Sequence, residues 1–147
     1  MSQDLEVVQR LFRAVKVWDV DGLLACYDPA VVITESAELP YGGTYTGIDG
    51  ARRHAMEFAR TWHPWLLDPA EQRPVFLDSG TGTIAVCFRH QARNPDTGSE
   101  LDTPEVGVYE VADGRVIAST MYHLNPAELA GFLAARSVGP PDGTMSP

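Results

Sequence analysis

Residues 19–35 read DVDGLLACYDPAVVITE, and within this one segment the pattern changes from helical to extended. Asp19 is a suitable N-cap for a short helix. The apolar positions of that helix are Val20, Leu23, Leu24 and Tyr27. Asp28 and Pro29 are predicted to end it, because the residue before a proline disfavours helical geometry. The β-branched run at 31–35, VVITE, then predicts a strand that ends at the acidic Glu35.

Three further helices are predicted on either side of this segment. Residues 3–17 carry apolar side chains at helical spacing, with Ser2 as a possible cap. Residues 48–62 repeat that pattern up to Trp62, with Pro64 expected to end the helix. A closing helix is predicted for 125–136, because an Asn-Pro pair is typical of a helix start. The intervening residues 38–47 are predicted to form a loop, since Pro40 and two adjacent glycines interrupt regular structure.

The part of the chain after the third helix and Asp68-Pro69 is predicted to be mostly strand. The expected strands are 73–78, 83–92, 101–111 and 115–124, joined by turns at 79–82, 94–98 and 112–114. Strands gathered after helices predict the α+β class, with one antiparallel sheet and helices on one face. We expect one domain over residues 1–138 and a flexible tail over 139–147, which is rich in proline and glycine.

Composition excludes several classes of protein. With 44% apolar and 21% charged residues, the chain of 147 residues has the make-up of a globular domain with a core. A net charge of −9 argues against a nucleic-acid partner, because binding nucleic acid requires a basic surface. Neither a secretory signal nor an apolar run of about 18 residues is evident, so we expect a cytoplasmic protein without a membrane partner. Cys26 and Cys87 are expected to be reduced thiols.

Several segments in their order and spacing resemble the nuclear transport factor 2-like (NTF2-like) superfamily, which includes ketosteroid isomerases and SnoaL-like polyketide cyclases. The first is the helix-to-strand segment 19–35, and the second is LPYGGTYTG at 39–47 followed by a helix. LDTP at 101–104, VYEV at 108–111, DGRV at 113–116 and NPAEL at 125–129 complete the pattern. The resemblance implies a cone-shaped α+β barrel, in which a curved sheet wraps around a deep apolar cavity under the N-terminal helices. It also implies a homodimer.

The resemblance places Glu35 where ketosteroid isomerases have their catalytic carboxylate base. Such a base moves a proton on carbon beside a carbonyl, and partial burial is expected to raise its pKa. The family's hydrogen-bonding tyrosine falls near Leu11, which has no hydroxyl, and its aspartic acid falls near Glu105. Glu105 can replace that acid only if its side chain points inward. Steroid isomerisation is therefore not the expected reaction, whereas another proton transfer is.

The other candidate site residues are histidines and aromatic residues. His54 is expected to face the cavity as an acid, base or hydrogen-bond donor, and Tyr45 is expected to be a further catalytic donor. The candidates for substrate binding are Tyr41, Trp62, His63, Trp65, His90, Glu105, Tyr122 and His123. Strand alternation allows only one of Tyr122 and His123 to face inward. A surface position is the alternative for each histidine, and a purely structural role in holding the loop together is the alternative for Tyr41 and Tyr45.

No metal and no cofactor is expected, because the sequence has neither the usual metal-ligand spacings nor a phosphate-binding or dinucleotide-binding motif. The expected function is an isomerase, cyclase or dehydratase that acts on a hydrophobic, oxygen-bearing molecule such as a polyketide or terpenoid. The alternative is a binding or assembly module without catalysis. A Glu35 that meets His54 and a tyrosine at one empty spot would favour catalysis.

Overall fold

The computed structural model describes residues 2–63, 65 and 73–137, and only the backbone of residues 136 and 137. Helix α1 spans Gln3–Lys16, and the Ser2 hydroxyl caps it by accepting from the amide of Leu5 at 3.0 Å. Helix α2 spans Val20–Leu24, and its Asp19 cap accepts from the amide of Gly22 at 3.0 Å. Both caps confirm the predicted helix starts, because each side chain satisfies an amide that the helix leaves without a partner.

Strand β1 spans Tyr27–Glu35 and begins four residues earlier than the sequence pattern predicts. Tyr27, which we assigned to the second helix, is the first residue of this strand. The difference arises because the carbonyl of Cys26 accepts from the amide of Val116 at 2.8 Å, so the chain already joins the last strand there. Pro29 is tolerated because the pairing register shifts between Tyr27 and Val32.

The predicted loop at 38–47 contains a short strand, β2, at Gly43–Thr46, so this part of the loop prediction is wrong. The strand pairs antiparallel with the end of β1, with Tyr45 opposite Ile33. Its side chains are β-branched or aromatic and suit a sheet, while the positive φ of Gly43 allows the preceding turn. Helix α3, Gly47–Trp62, follows directly and confirms the predicted third helix.

The rest of the described chain follows the predicted order of strands and a last helix. The elements are β3 Val75–Asp78, β4 Thr83–Arg93, β5 Glu100–Ala112, β6 Arg115–His123 and α4 Pro126–Ser137. The predictions for Pro64, for Asp68-Pro69 and for the tail at 139–147 lie outside the described residues. That residues 1–138 form one domain stays a prediction.

The six strands form one curved, unclosed sheet in the order β2-β1-β6-β5-β4-β3. The predicted α+β class and the curved sheet with its helical cover are confirmed. One strand pair differs, because β1 and β6 run parallel while the other neighbours are antiparallel. A mixed sheet results because the chain places the helix α3 and four strands between β1 and its partner β6.

Two apolar clusters fix the helices to the concave face of the sheet. The larger joins α1 and α2 to the sheet through residues such as Val8, Leu11 and Ile33. The smaller joins α3 and α4 at the other end, where Trp62 packs with Leu129. None of the helices in the described part of the chain is long and apolar enough to cross a membrane. The helices and the sheet leave a cavity between them.

Candidate active site

The cavity between the helices and the concave sheet face has a volume of about 280 Å³. Its wall is mainly apolar, with Leu11, Phe12, Phe58 and Phe88 among the lining residues. Leu11 lies on this wall, so the position where related isomerases carry a tyrosine is without a hydroxyl here. The buried polar side chains that line the cavity include two pairs, Glu35 with His54 and Glu105 with His90.

Strand alternation brings these polar side chains to one face of the sheet. In β1 the buried residues Val31, Ile33 and Glu35 alternate with more exposed ones. In β4 and β5 the same alternation buries His90 and Glu105. The side chain of Glu105 therefore points inward rather than to solvent.

Glu35 and His54 form a direct hydrogen bond from the sheet to helix α3. The Nε2 atom of His54 lies 2.8 Å from Oε2 of Glu35, and their side chains are 14% and 4% exposed. The other carboxylate oxygen, Oε1, has no hydrogen-bond partner among the described residues. Because a buried carboxylate oxygen normally accepts a hydrogen bond, the unpaired Oε1 indicates a ligand group that would supply one.

The electrostatics of the site keep Glu35 ionised. Burial by itself raises the pKa of Glu35, but His123 and His54 together lower it by more, so that the net shift is downward from 4.5. Our expectation of a raised pKa is therefore wrong, because it considered burial without the two histidines. Burial lowers the pKa of His123, but Glu35 and Glu105 outweigh this and leave it above 6.5.

The model of the SnoaL-like domain matches residues 8–119, most of the segment that builds this cavity. The chain belongs to the SnoaL-like domain family. This family lies within the NTF2-like superfamily, as the resemblance implied, and the fold includes isomerases and cyclases. None of the curated proteins is a significant match to the chain.

Solved structures with this fold are similar to the SnoaL-like domain over nearly their whole length. An NTF2-like protein of unknown function from Burkholderia pseudomallei is 25% identical, with a TM-score of 0.70 over 90% of this chain and 98% of its own. TerC, crystallised with polyporic acid, is 18% identical, with a TM-score of 0.71 over 88% and 99%. A proposed isomerase from Bacillus subtilis is 14% identical, with a TM-score of 0.68 over 90% and 96%. The last two likenesses concern the fold alone.

Three of the aromatic residues predicted for the site pack around the rings of His54 and His90. The hydroxyl of Tyr45 donates to the backbone carbonyl of Tyr41 at 2.8 Å, and the Tyr45 ring lies 5.1 Å from that of His54. The Tyr41 hydroxyl accepts from the indole nitrogen of Trp62 at 2.7 Å, and the Trp62 ring lies 4.3 Å from that of His90. Internal hydrogen bonds engage these polar groups, and none of the three residues is among those that line the cavity. Tyr45 as a catalytic donor, and Tyr41 and Trp62 as substrate contacts, stay predictions.

The remaining aromatic candidates lie at the margins of the SnoaL-like domain's cavity or away from it. His63 is exposed, and its ring lies 4.7 Å from that of Trp18, which lines the cavity. Trp65 packs against the smaller apolar cluster instead. Tyr122 is 57% exposed on the outer face of β6 and is not among the residues that line this cavity, so its role as a substrate contact stays a prediction. His123, its neighbour, is the inward residue of the two because side chains alternate along the strand.

The sequence analysis missed both tyrosines of the cavity wall. Tyr27 and Tyr109 both line the cavity, and burial raises the pKa of both phenols, so they stay protonated donors. The signal for Tyr109 was available, because it lies four residues after Glu105 on a strand and therefore shares its face. Tyr27 was hidden by its assignment to a helix.

Within the described residues, histidine, cysteine and acidic side chains form no group of three or more that could hold a metal ion.

Proposed function

We propose that this SnoaL-like domain is an isomerase, cyclase or dehydratase that works by general acid–base catalysis. The observation that carries the proposal is the 2.8 Å pair of Glu35 and His54 at the edge of a largely apolar cavity. Apolar walls favour a hydrophobic substrate, while the unpaired Oε1 of Glu35 favours a substrate with an acidic hydrogen. No cofactor is required for a proton transfer between carbon and oxygen.

The ionised state of Glu35 suits this role, since a carboxylate must be deprotonated to accept a proton. Its hydrogen bond to His54 leaves one oxygen for the substrate and orients that oxygen by fixing the other. The crystal structure of TerC with polyporic acid and the proposed isomerase from Bacillus subtilis support a small organic ligand and an isomerisation in this fold. The class of substrate that we infer is a compact hydrophobic molecule with a carbonyl, such as a polyketide or terpenoid intermediate.

The test measures proton abstraction from α-tetralone, a bicyclic ketone whose hydrogens beside the carbonyl exchange with deuterium in heavy water. We expect wild-type protein to accelerate this exchange, and Glu35→Gln to reduce the acceleration by about 10²- to 10⁴-fold, which is the usual contribution of a general base. The matched control is Glu38→Gln, the same change at an exposed acid three residues away. Exchange by wild-type protein that is no faster than by Glu35→Gln would overturn the proposal.

A second candidate function is binding without catalysis, and one observation favours it. The Tyr45 hydroxyl donates to a backbone carbonyl and the Tyr41 hydroxyl accepts from Trp62, and among the described residues neither hydroxyl makes a hydrogen bond to Glu35 or His54. The same experiment separates the two functions. Saturation-transfer NMR that shows α-tetralone bound, without accelerated exchange, would indicate a binding module.

A further inference from the structure

The cavity of the SnoaL-like domain has a second histidine–carboxylate pair that the proposed reaction has not yet used. The Nδ1 atom of His90 lies 3.1 Å from Oε1 of Glu105, and the two side chains are 3% and 4% exposed. The other ring nitrogen of His90, Nε2, has no hydrogen-bond partner among the described residues. Both residues line the cavity, so Nε2 is a second buried polar atom beside it without a partner.

His123 lies between the two pairs. Its Nε2 atom is 3.8 Å from Oε1 of Glu35, and its Nδ1 atom is 3.6 Å from Oε1 of Glu105. These separations are longer than hydrogen bonds but within the range of ion pairs, and the side chain is only 1% exposed. A charge on this imidazole therefore acts on both carboxylates at once in a poorly screened environment.

We propose that His90 is a second catalytic residue, which donates a proton to an oxygen of the substrate while Glu35 removes a proton from the neighbouring carbon. We further infer that His123 is a positioning residue that couples the two pairs. The role of His90 rests on the proposed function, whereas the coupling by His123 does not. This narrows the substrate class to molecules that present an acidic C–H bond and the neighbouring carbonyl on the same edge of the molecule.

The proton transfers balance within this cluster. The C–H bond breaks and its electron pair forms the C=C bond of an enol, while the proton goes to Oε1 of Glu35. The carbonyl π pair moves to oxygen, which takes the proton from Nε2 of the His90 imidazolium. Glu35 becomes neutral as His90 becomes neutral, while a charged His123 still faces a charged Glu105. The buried cluster thus keeps the same net charge before and after the step, which avoids the cost of an unpaired buried charge.

The groups around His123 come from every element that contacts the cluster. Glu35 faces it from β1, Glu105 faces it from β5, and the His90 ring on β4 lies 6.4 Å from its own. His54 on α3 acts on it through Glu35. Both carboxylates raise the pKa of His123, which supports its place as the cation between them.

Histidine NMR titration tests the coupling without any substrate. The chain has four histidines, and the exposed His63 is an internal reference outside the cluster. We expect Glu35→Gln to lower the titration midpoint of His123, because that carboxylate raises its pKa. In the matched control Glu38→Gln, His123 should keep its wild-type midpoint. An unchanged His123 midpoint in folded Glu35→Gln protein would overturn the coupling.

Glu105→Gln provides the same test from the second pair. It removes the charge that faces both histidines but keeps the side-chain length. We expect it also to lower the midpoint of His123. A His123 midpoint that stays at its wild-type value would contradict the coupling.

Deuterium exchange of α-tetralone tests the catalytic role of His90. We expect His90→Gln to lower the exchange rate at saturation by about 10²- to 10³-fold, the usual loss of one oxyanion donor, with little change in half-saturation. Wild-type exchange by His90→Gln together with a loss in Glu35→Gln would overturn the role of His90 and leave the proposed function intact. No exchange by wild-type protein would overturn both catalytic roles, while the NMR titration would still decide the coupling by His123.

Discussion

The hydrogen bond between Trp62 and Tyr41 fixes the end of helix α3 behind the active site, and the loss in the free energy of unfolding when it is removed can be predicted. Trp62 is fully buried, and its indole nitrogen donates to the Tyr41 hydroxyl at 2.7 Å. Trp62→Phe removes a hydrogen bond with a net contribution of about 0.5–1.5 kcal/mol. It also removes part of a buried ring, at about 0.8 kcal/mol for each group of methylene size. The expected loss in the free energy of unfolding is about 2–3 kcal/mol.

Tyr41→Phe changes the same bond from the other side. It leaves the indole N–H buried without an acceptor, which costs about 1–3 kcal/mol. In the double variant both polar groups are gone, so we expect it to be more stable than the sum of the two losses by about 1 kcal/mol. Urea unfolding of the four proteins measures this double-mutant cycle. Tyr122→Phe is the matched control at an exposed tyrosine and should change stability by less than about 0.5 kcal/mol.

The result that would refute this reasoning is additivity. Losses for Trp62→Phe and Tyr41→Phe that sum to that of the double variant within about 0.3 kcal/mol would show no coupling between the two side chains. The stabilisation would then come from packing of the indole ring alone. A thermal scan provides an independent check, since about 2–3 kcal/mol corresponds to a fall in Tm of roughly 5–12 °C for a chain of this size.

Two further predictions concern pH and packing. The lowered pKa of Glu35 stabilises the fold above pH 4.5, and the raised pKa of His123 stabilises it below pH 6.5. We therefore expect Tm to be highest between these two pH values and to fall on either side. Glu35→Gln should flatten this maximum, and an unchanged profile would exclude the pair as its cause. Gly107→Ala places a Cβ atom 2.8 Å from the Tyr109 ring and 3.1 Å from the sulfur of Met121, so it should cost about 1–3 kcal/mol in urea unfolding. Wild-type stability in this variant would show that both side chains can move aside freely.

The sequence was sufficient to predict most elements of the fold because their signals are local. The cap residues Ser2 and Asp19 predict helix starts, and the turns at 79–82 and 112–114 predict strand ends. Strand β2 was missed because its four residues are extended only through their pairing with β1. A strand this short has too weak a pattern to be distinguished from a loop beside two glycines.

The sequence by itself also determined that Glu35 ends a buried strand and that one of Tyr122 and His123 faces inward, since both follow from side-chain alternation. Only the tertiary structure decided which partners Glu35 has. Glu105 and His123 come together because β5 and β6 pair in a register that sets them opposite each other, and α3 brings His54 to the same place. The pKa of Glu35 is therefore lowered rather than raised, because it depends on charges that are distant in the chain and adjacent only in the fold.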